Sequence, residues 1–235
     1  MEIKIGTARV SKSGMNCSGD SLEIVERPLG GLAAILADGQ GSGLTAYRAS
    51  GWTVRQAAAL LAAGTRDSAI AKAVHDELYE TQGHRTACAL TILSADAEAE
   101  MISISRNSHC PVIVKTEEYL TVYDEDAQPI GVQKHTKPET YDLPFAPGLV
   151  LVTFTSGVQL AGKKHGGHGL DLEKIQPIIE ANGAEECDFI ARSILDYALS
   201  LDHEAASDDM TVLVMGISER SVAPEIEERS ISYPF

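Results

Sequence analysis

Apolar and polar positions alternate along residues 2–10, where Ile3, Ile5 and Thr7 mark the two-residue period of a half-buried strand. Two further short apolar runs, 21–26 and 31–37, predict the next strands, with a turn at Pro28-Leu29-Gly30-Gly31 between them. The pattern then lengthens. Residues 44–63, rich in Ala and Leu, and residues 67–80 predict two helices, with Thr65 or Asp67 as the cap of the second. Strand-like runs return at 87–93, 100–106, 111–115, 119–123 and 149–154. Segments 171–181 and 185–201 predict helices, the first shortened or kinked by Pro177. A last strand at 210–216 precedes an acidic tail that ends at Phe235.

Many consecutive strands without intervening helices do not make the alternation of a doubly wound parallel sheet. Short turns between neighbours imply antiparallel pairing, and helices packed outside such sheets give an α+β layered domain. That domain is placed over residues 1–218, with 219–235 as an acidic C-terminal tail. Neither a repeat nor a long low-complexity linker divides the chain.

Composition narrows the function. A chain of 235 residues buries a sizeable core. It carries 19 Lys and Arg against 34 Asp and Glu, a formal net charge of −15. Such a surface repels nucleic-acid phosphates, and no basic patch offsets it, so no nucleic-acid partner is expected. Cys17, Cys88, Cys110 and Cys187 are dispersed without CxxC spacing, which argues against a zinc site of the usual kind and against a disulfide framework. With no signal-peptide core and no apolar run of membrane-spanning length, the expected location is cytoplasmic, with no membrane partner.

The candidate chemistry lies in three acidic motifs, each at the edge of a predicted strand: Ser18-Gly19-Asp20-Ser21, Ala37-Asp38-Gly39 and Ser207-Asp208-Asp209-Met210-Thr211. Taken singly, each reads as a turn, because Asp and Gly favour turns. The second continues as Gln40-Gly41-Ser42-Gly43 into the first helix, and carboxylates beside exposed backbone carbonyls are ligands that Mg²⁺ and Mn²⁺ prefer. The third sets two carboxylates directly before an apolar strand, where solvation is reduced and a cation would help.

Taken in order, SGDS, LADGQGSG with its Ala-rich helix, and the Asp-Asp-Met-Thr strand resemble the metal-dependent (PP2C-like) protein phosphatases. Within them the chain is most similar to the SpoIIE/RsbU/RsbX branch of bacterial serine phosphatases that act in stress response and sigma-factor regulation. The resemblance runs from Ser18 to Val214 and includes Arg106 to Pro111, Pro129-Ile130-Gly131 and Leu151 to Val158. It implies two antiparallel β-sheets sandwiched between helix layers. It also implies two Mn²⁺ or Mg²⁺ ions and a water bridging them that attacks phosphoserine or phosphothreonine. On that match Asp38 is the bridging carboxylate and Gly39 offers its backbone carbonyl. Asp208 is a ligand of the other ion, and Asp20 reaches a metal, often through water. The implied partner is a phosphorylated regulatory protein of the anti-sigma antagonist or stressosome type.

One departure stands out. The family usually has Thr-Asp-Gly where this chain has Thr155-Ser156-Gly157. A serine hydroxyl is a neutral and weaker ligand, so one of the two ions should be held less tightly. Three alternatives follow: weakened activity, substitution by another acid such as Asp209, or a catalytically silent phosphatase-like binding protein. A nucleotide-binding protein is a further rival, since glycine-rich turns into helices bind phosphates. The segment lacks the Lys-Ser/Thr of a P-loop and the GxGxxG spacing, and Gln40 stands where a histidine-kinase-type ATPase has its first glycine. Lys163, Lys164 and His165-Gly166-Gly167-His168 read as a solvated surface loop, with the lysines able to attract an acidic phosphoprotein. Arg9 and Lys12 read as strand-edge charges, and His109 as a packed or turn residue.

Overall fold

The computed structural model describes residues 1–83 and 85–219. In chain order, β1 (Glu2–Val10), β2 (Asp20–Glu26) and β3 (Gly31–Gly39) precede α1 (Gly43–Ala62) and α2 (Asp67–Thr81). Strands β4 (Cys88–Asp96), β5 (Met101–Asn107), β6 (Val112–Lys115), β7 (Leu120–Tyr123), β8 (Glu139–Pro144) and β9 (Val150–Phe154) follow without a helix. Then come the single turn α3 (Ser156–Gln159), α4 (Leu172–Ala181), α5 (Cys187–Leu201) and β10 (Met210–Ser218). The strands form two five-stranded sheets, ordered β1-β10-β9-β6-β7 and β2-β3-β4-β5-β8. Each strand pair in them is antiparallel.

Side-chain alternation explains the layering. In β3, Ala33, Ile35 and Ala37 pack with Val54, Leu61, Ile70 and Val74 of α1 and α2. Ala34 and Leu36 point the other way, into a core shared with Val114, Leu151, Leu213 and Met215 of the other sheet. In β10, Val212 and Val214 face Ile190, Ala191 and Ile194 of α5. The order is therefore helices, sheet, sheet, helices, the α+β class that the sequence predicts.

Two elements were not anticipated. Strand β8 is an edge strand whose Tyr141 and Leu143 pack on the inter-sheet core while Thr140 and Asp142 face water. The one-turn helix α3 begins at Ser156. The cap of α2 also differs from expectation: Arg66 holds the N-cap position, with no side-chain cap hydrogen bond. Asp67 instead pairs with Arg27 at 2.8 Å, and Arg27 also reaches Asp96 at 2.6 Å, tying the β2–β3 turn to α2 and β4. Helix α4 is short, as Pro177 predicts, and is capped by Asp171, whose side chain accepts from the Glu173 N–H. Apart from Glu219, the tail expected over 219–235 lies outside the described residues.

Candidate metal centre

The hairpin register sets the floor of the site. Asp20 of β2 stands directly opposite Asp38 of β3. Both follow the alternation of Leu22 and Leu36, so they open toward the gap between the sheets rather than toward α1. The opposite sheet meets them with hydroxyls. Thr155, just after β9, and Thr211 of β10 each donate to Asp20 Oδ2 at 2.7 Å. The Thr211 N–H in turn donates to Thr155 Oγ1 at 3.0 Å. Ser156 donates to Asp38 Oδ2 twice, from its N–H at 3.1 Å and its hydroxyl at 2.6 Å. The buried Asp20 and the half-buried Asp38 of one sheet are thus pinned by donors from the end of β9, the turn after it and β10.

The two C-terminal aspartates have different surroundings. Asp209 accepts from the N–H of Lys12 at 2.9 Å on one oxygen and from that of Gly19 at 2.8 Å on the other. It ties the loop before β2 to the start of β10. Asp208 is more exposed, accepting from the Asp209 N–H at 3.1 Å and lying 3.6 Å from the Lys164 ammonium. Lys164 also donates to the Ser207 carbonyl. Two glycines permit the closeness. A methyl on Gly39 would lie 2.2 Å from the Ala46 carbonyl oxygen, and one on Gly157 would lie 1.9 Å from that of Asp209.

The result is a cavity of about 210 Å³ lined by Asp20, Asp38, Gly39, Gln40, Gly41, Ser156, Asp208 and Asp209. All six residues singled out from the sequence therefore meet in one place, with Gln40 and Gly41 added. Asp20 is 2% exposed. Burial, reinforced by the charge of Asp38, pushes its pKa up to about 7 despite the two threonine bonds. Burial also raises Asp38; the Ser156 bonds oppose this, and the charges of Asp208 and Asp209 add to it. The cavity is rich in negative charge, and among the described residues no basic side chain lines it.

Carboxylates, a hydroxyl and backbone carbonyls are hard oxygen donors, and this set fits Mg²⁺ or Mn²⁺ rather than a thiophilic ion. Among the described residues, no three His, Cys, Asp or Glu side chains form a ready-made cage. The hydrogen bonds give the reason: Asp20 and Asp38 are held by neutral donors, Asp209 by backbone N–H groups, and Asp208 leans to Lys164. Burial pushes the thiols of Cys88 and Cys110 up to about 12, which removes them as nucleophiles.

Other sequence candidates stand apart. His109 is an exposed turn residue 3.1 Å from Asp126. Lys163–His165 is a short 3-10 turn, and the His165 ring meets His203 edge-on at 4.6 Å. Sequence reasoning gave no role to Thr155, Thr211 or Asp202. The fully buried Asp202 accepts from the N–H groups of Gly162 and Ser207, both at 2.7 Å, bracing the loops that carry Lys164 and Asp208. Burial opposes its ionisation, yet these bonds outweigh it and hold its pKa below the usual carboxylate range. A signal was present: a carboxylate just past the C-terminus of α5 opposes the helix dipole and needs another reason to be there.

Comparisons with known proteins agree with this geometry. The family model described as stage II sporulation protein E (SpoIIE) matches residues 28–218. Stage II sporulation protein E of Priestia megaterium is 21% identical over 213 residues. That match covers 90% of this chain, which spans only 36% of the relative's length. Among solved structures, the PP2C phosphatase domain with a regulatory-domain fragment of SpoIIE from Bacillus subtilis superposes with a TM-score of 0.76 at 22% identity. It covers 92% of this chain and 64% of that one. A serine/threonine phosphatase of S. agalactiae gives a TM-score of 0.72 at 14% identity, covering 92% and 100%.

Proposed function

This chain belongs to the SpoIIE family of PP2C-like phosphatases, and on that premise we propose that it hydrolyses phosphoserine or phosphothreonine on a regulatory protein. Asp20, Asp38, Asp208 and the Gly39 carbonyl would hold the divalent cations. The observation that carries this reading is the Asp20–Asp38 pair: one buried and one half-buried carboxylate side by side in a cavity lined by oxygen donors. Like charges so placed stay ionised together only beside a cation. Bound there, Mn²⁺ or Mg²⁺ supplies an acidified water and neutralises phosphoryl oxygens.

The chain's own residues supply position. Thr155 and Thr211 both fix Asp20 through Oδ2, holding the carboxylate in the wall of the cavity. Asp209 acts as a brace for the loop before β2, since both of its oxygens already accept backbone N–H groups. The expected result is Mn²⁺-dependent hydrolysis of p-nitrophenyl phosphate and of a phosphoserine peptide, with Asp38→Asn lowering kcat/KM by more than about a hundredfold. Protein that stays inactive across millimolar Mn²⁺ and neutral pH contradicts the reading.

Ser156 favours a second reading, a weakened phosphatase that serves mainly as a binding module. Its hydroxyl gives Asp38 a hydrogen bond where the family pattern has a carboxylate. On this reading Ser156→Asp raises both Mn²⁺ affinity, measured by calorimetry, and turnover. A native protein that already turns over well, and that Ser156→Asp leaves unchanged, rules it out.

A further inference from the structure

The rim of the cavity is asymmetric. On one side the loop before β2 lays Met15 against the start of α1, where a methyl built on Gly43 would meet Met15 Cε at 2.9 Å. Leu44 and Tyr47, one and four residues beyond Gly43, share the exposed first turns of that helix. Met15, Leu44 and Tyr47 are 38%, 54% and 43% exposed. Single exposed apolar residues are ordinary, but these three gather around Gly43, two residues past the cavity-lining Gly41, and give the lip of the site an apolar side. On the other side Lys164 reaches the cavity-lining Asp208, and the exposed Lys163 is its neighbour in the chain. Positive charge at this rim contrasts with a chain of formal net charge −15.

Resting on the phosphatase reading above, we propose that this rim is the docking surface for the polypeptide around the phosphoserine. It selects a segment with an apolar side chain on one side of the phosphoserine and a carboxylate on the other. The apolar group seats on Met15, Leu44 and Tyr47, and the carboxylate faces Lys163 and Lys164. Continuity with the cavity and the local charge both favour this occupant. A second copy of the chain would need about 800 Å² per partner for a stable interface, far more than three side chains offer.

The probes are phosphonate analogues of phosphoserine peptides, which cannot be hydrolysed, with binding read by fluorescence anisotropy in the presence of Mn²⁺. One peptide carries Leu and Asp on opposite sides of the phosphonate, a second has Ala for Leu, and a third has Lys for Asp. The wild-type protein is expected to bind the first about tenfold more tightly than either other peptide. Leu44→Glu, with circular dichroism confirming its fold, abolishes the preference for Leu over Ala. Lys163→Glu reverses the preference for Asp over Lys. Equal binding of all three peptides by the wild type, or a preference that Leu44→Glu leaves intact, overturns the proposal. So does a dimer, seen by light scattering, that Leu44→Glu converts to monomer with peptide preference unchanged. Because binding is read without turnover, discrimination among peptides by a protein inactive on p-nitrophenyl phosphate refutes the catalytic reading alone.

Discussion

Asp20 accepts two threonine hydroxyls and still has its pKa pushed up to about 7, because burial and the neighbouring Asp38 disfavour its charge. An unfolded chain releases that proton near the ordinary carboxylate value of about 4. The folded, metal-free protein therefore holds more protons than the unfolded one between these values, and its stability falls as pH rises through that window. Asp38 shifts in the same direction. Asp96 and Asp202 are shifted downward, by hydrogen bonds that outweigh burial, so their contributions change only at lower pH. With EDTA, the thermal midpoint is expected to drop between about pH 5 and 7, and Asp20→Asn should flatten that slope. Mn²⁺ should oppose the drop, since it binds the deprotonated carboxylates. A midpoint that rises over this range in EDTA contradicts the electrostatic reading. At this scale the sequence marked Asp38 through its glycines but not Thr155 or Thr211. A threonine in a β-rich segment reads as an ordinary strand former, and only the facing sheet shows which carboxylate it serves.

The elements matter through their ends. The turn between β2 and β3, closed by hydrogen bonds between Arg27 and both Gly30 and Gly31, sets the register that places Asp20 opposite Asp38. The turn α3 brings Ser156 to Asp38, and Gly157 lets it sit against the start of β10. Gly157→Ala drives a methyl to 1.9 Å from the Asp209 carbonyl oxygen, so one of the two elements must move. The expected cost is about 1–3 kcal/mol of stability by chemical denaturation, together with weaker Mn²⁺ binding by calorimetry. An unchanged denaturation midpoint and Mn²⁺ affinity would show that the close approach is not needed. Most elements were legible because their apolar runs match one period or the other. Strand β8 was not, since half of its residues face water and it ends at Pro144, and α3 is too short to show any period.

At the scale of the molecule, two sheets close on a shared apolar core and open at one end into a pocket of carboxylates. No helix among the described residues is long and apolar enough to cross a membrane. The acidic balance of the whole chain raises the local concentration of cations, and the pocket gathers that tendency into one place. The layering was legible from the order of strands and helices. The meeting of Asp20 with Asp208, far apart in sequence, was legible only through the family resemblance, because no periodicity reports a contact across two sheets. Crystals grown with Mn²⁺ and measured at the manganese absorption edge give the decisive map. It should show anomalous density in the cavity against Asp20 and Asp38, with Asp208 and the Gly39 carbonyl turned toward it. A cavity without such density at saturating Mn²⁺, or density only at surface sites such as His165 and His168, would contradict a cation-dependent centre.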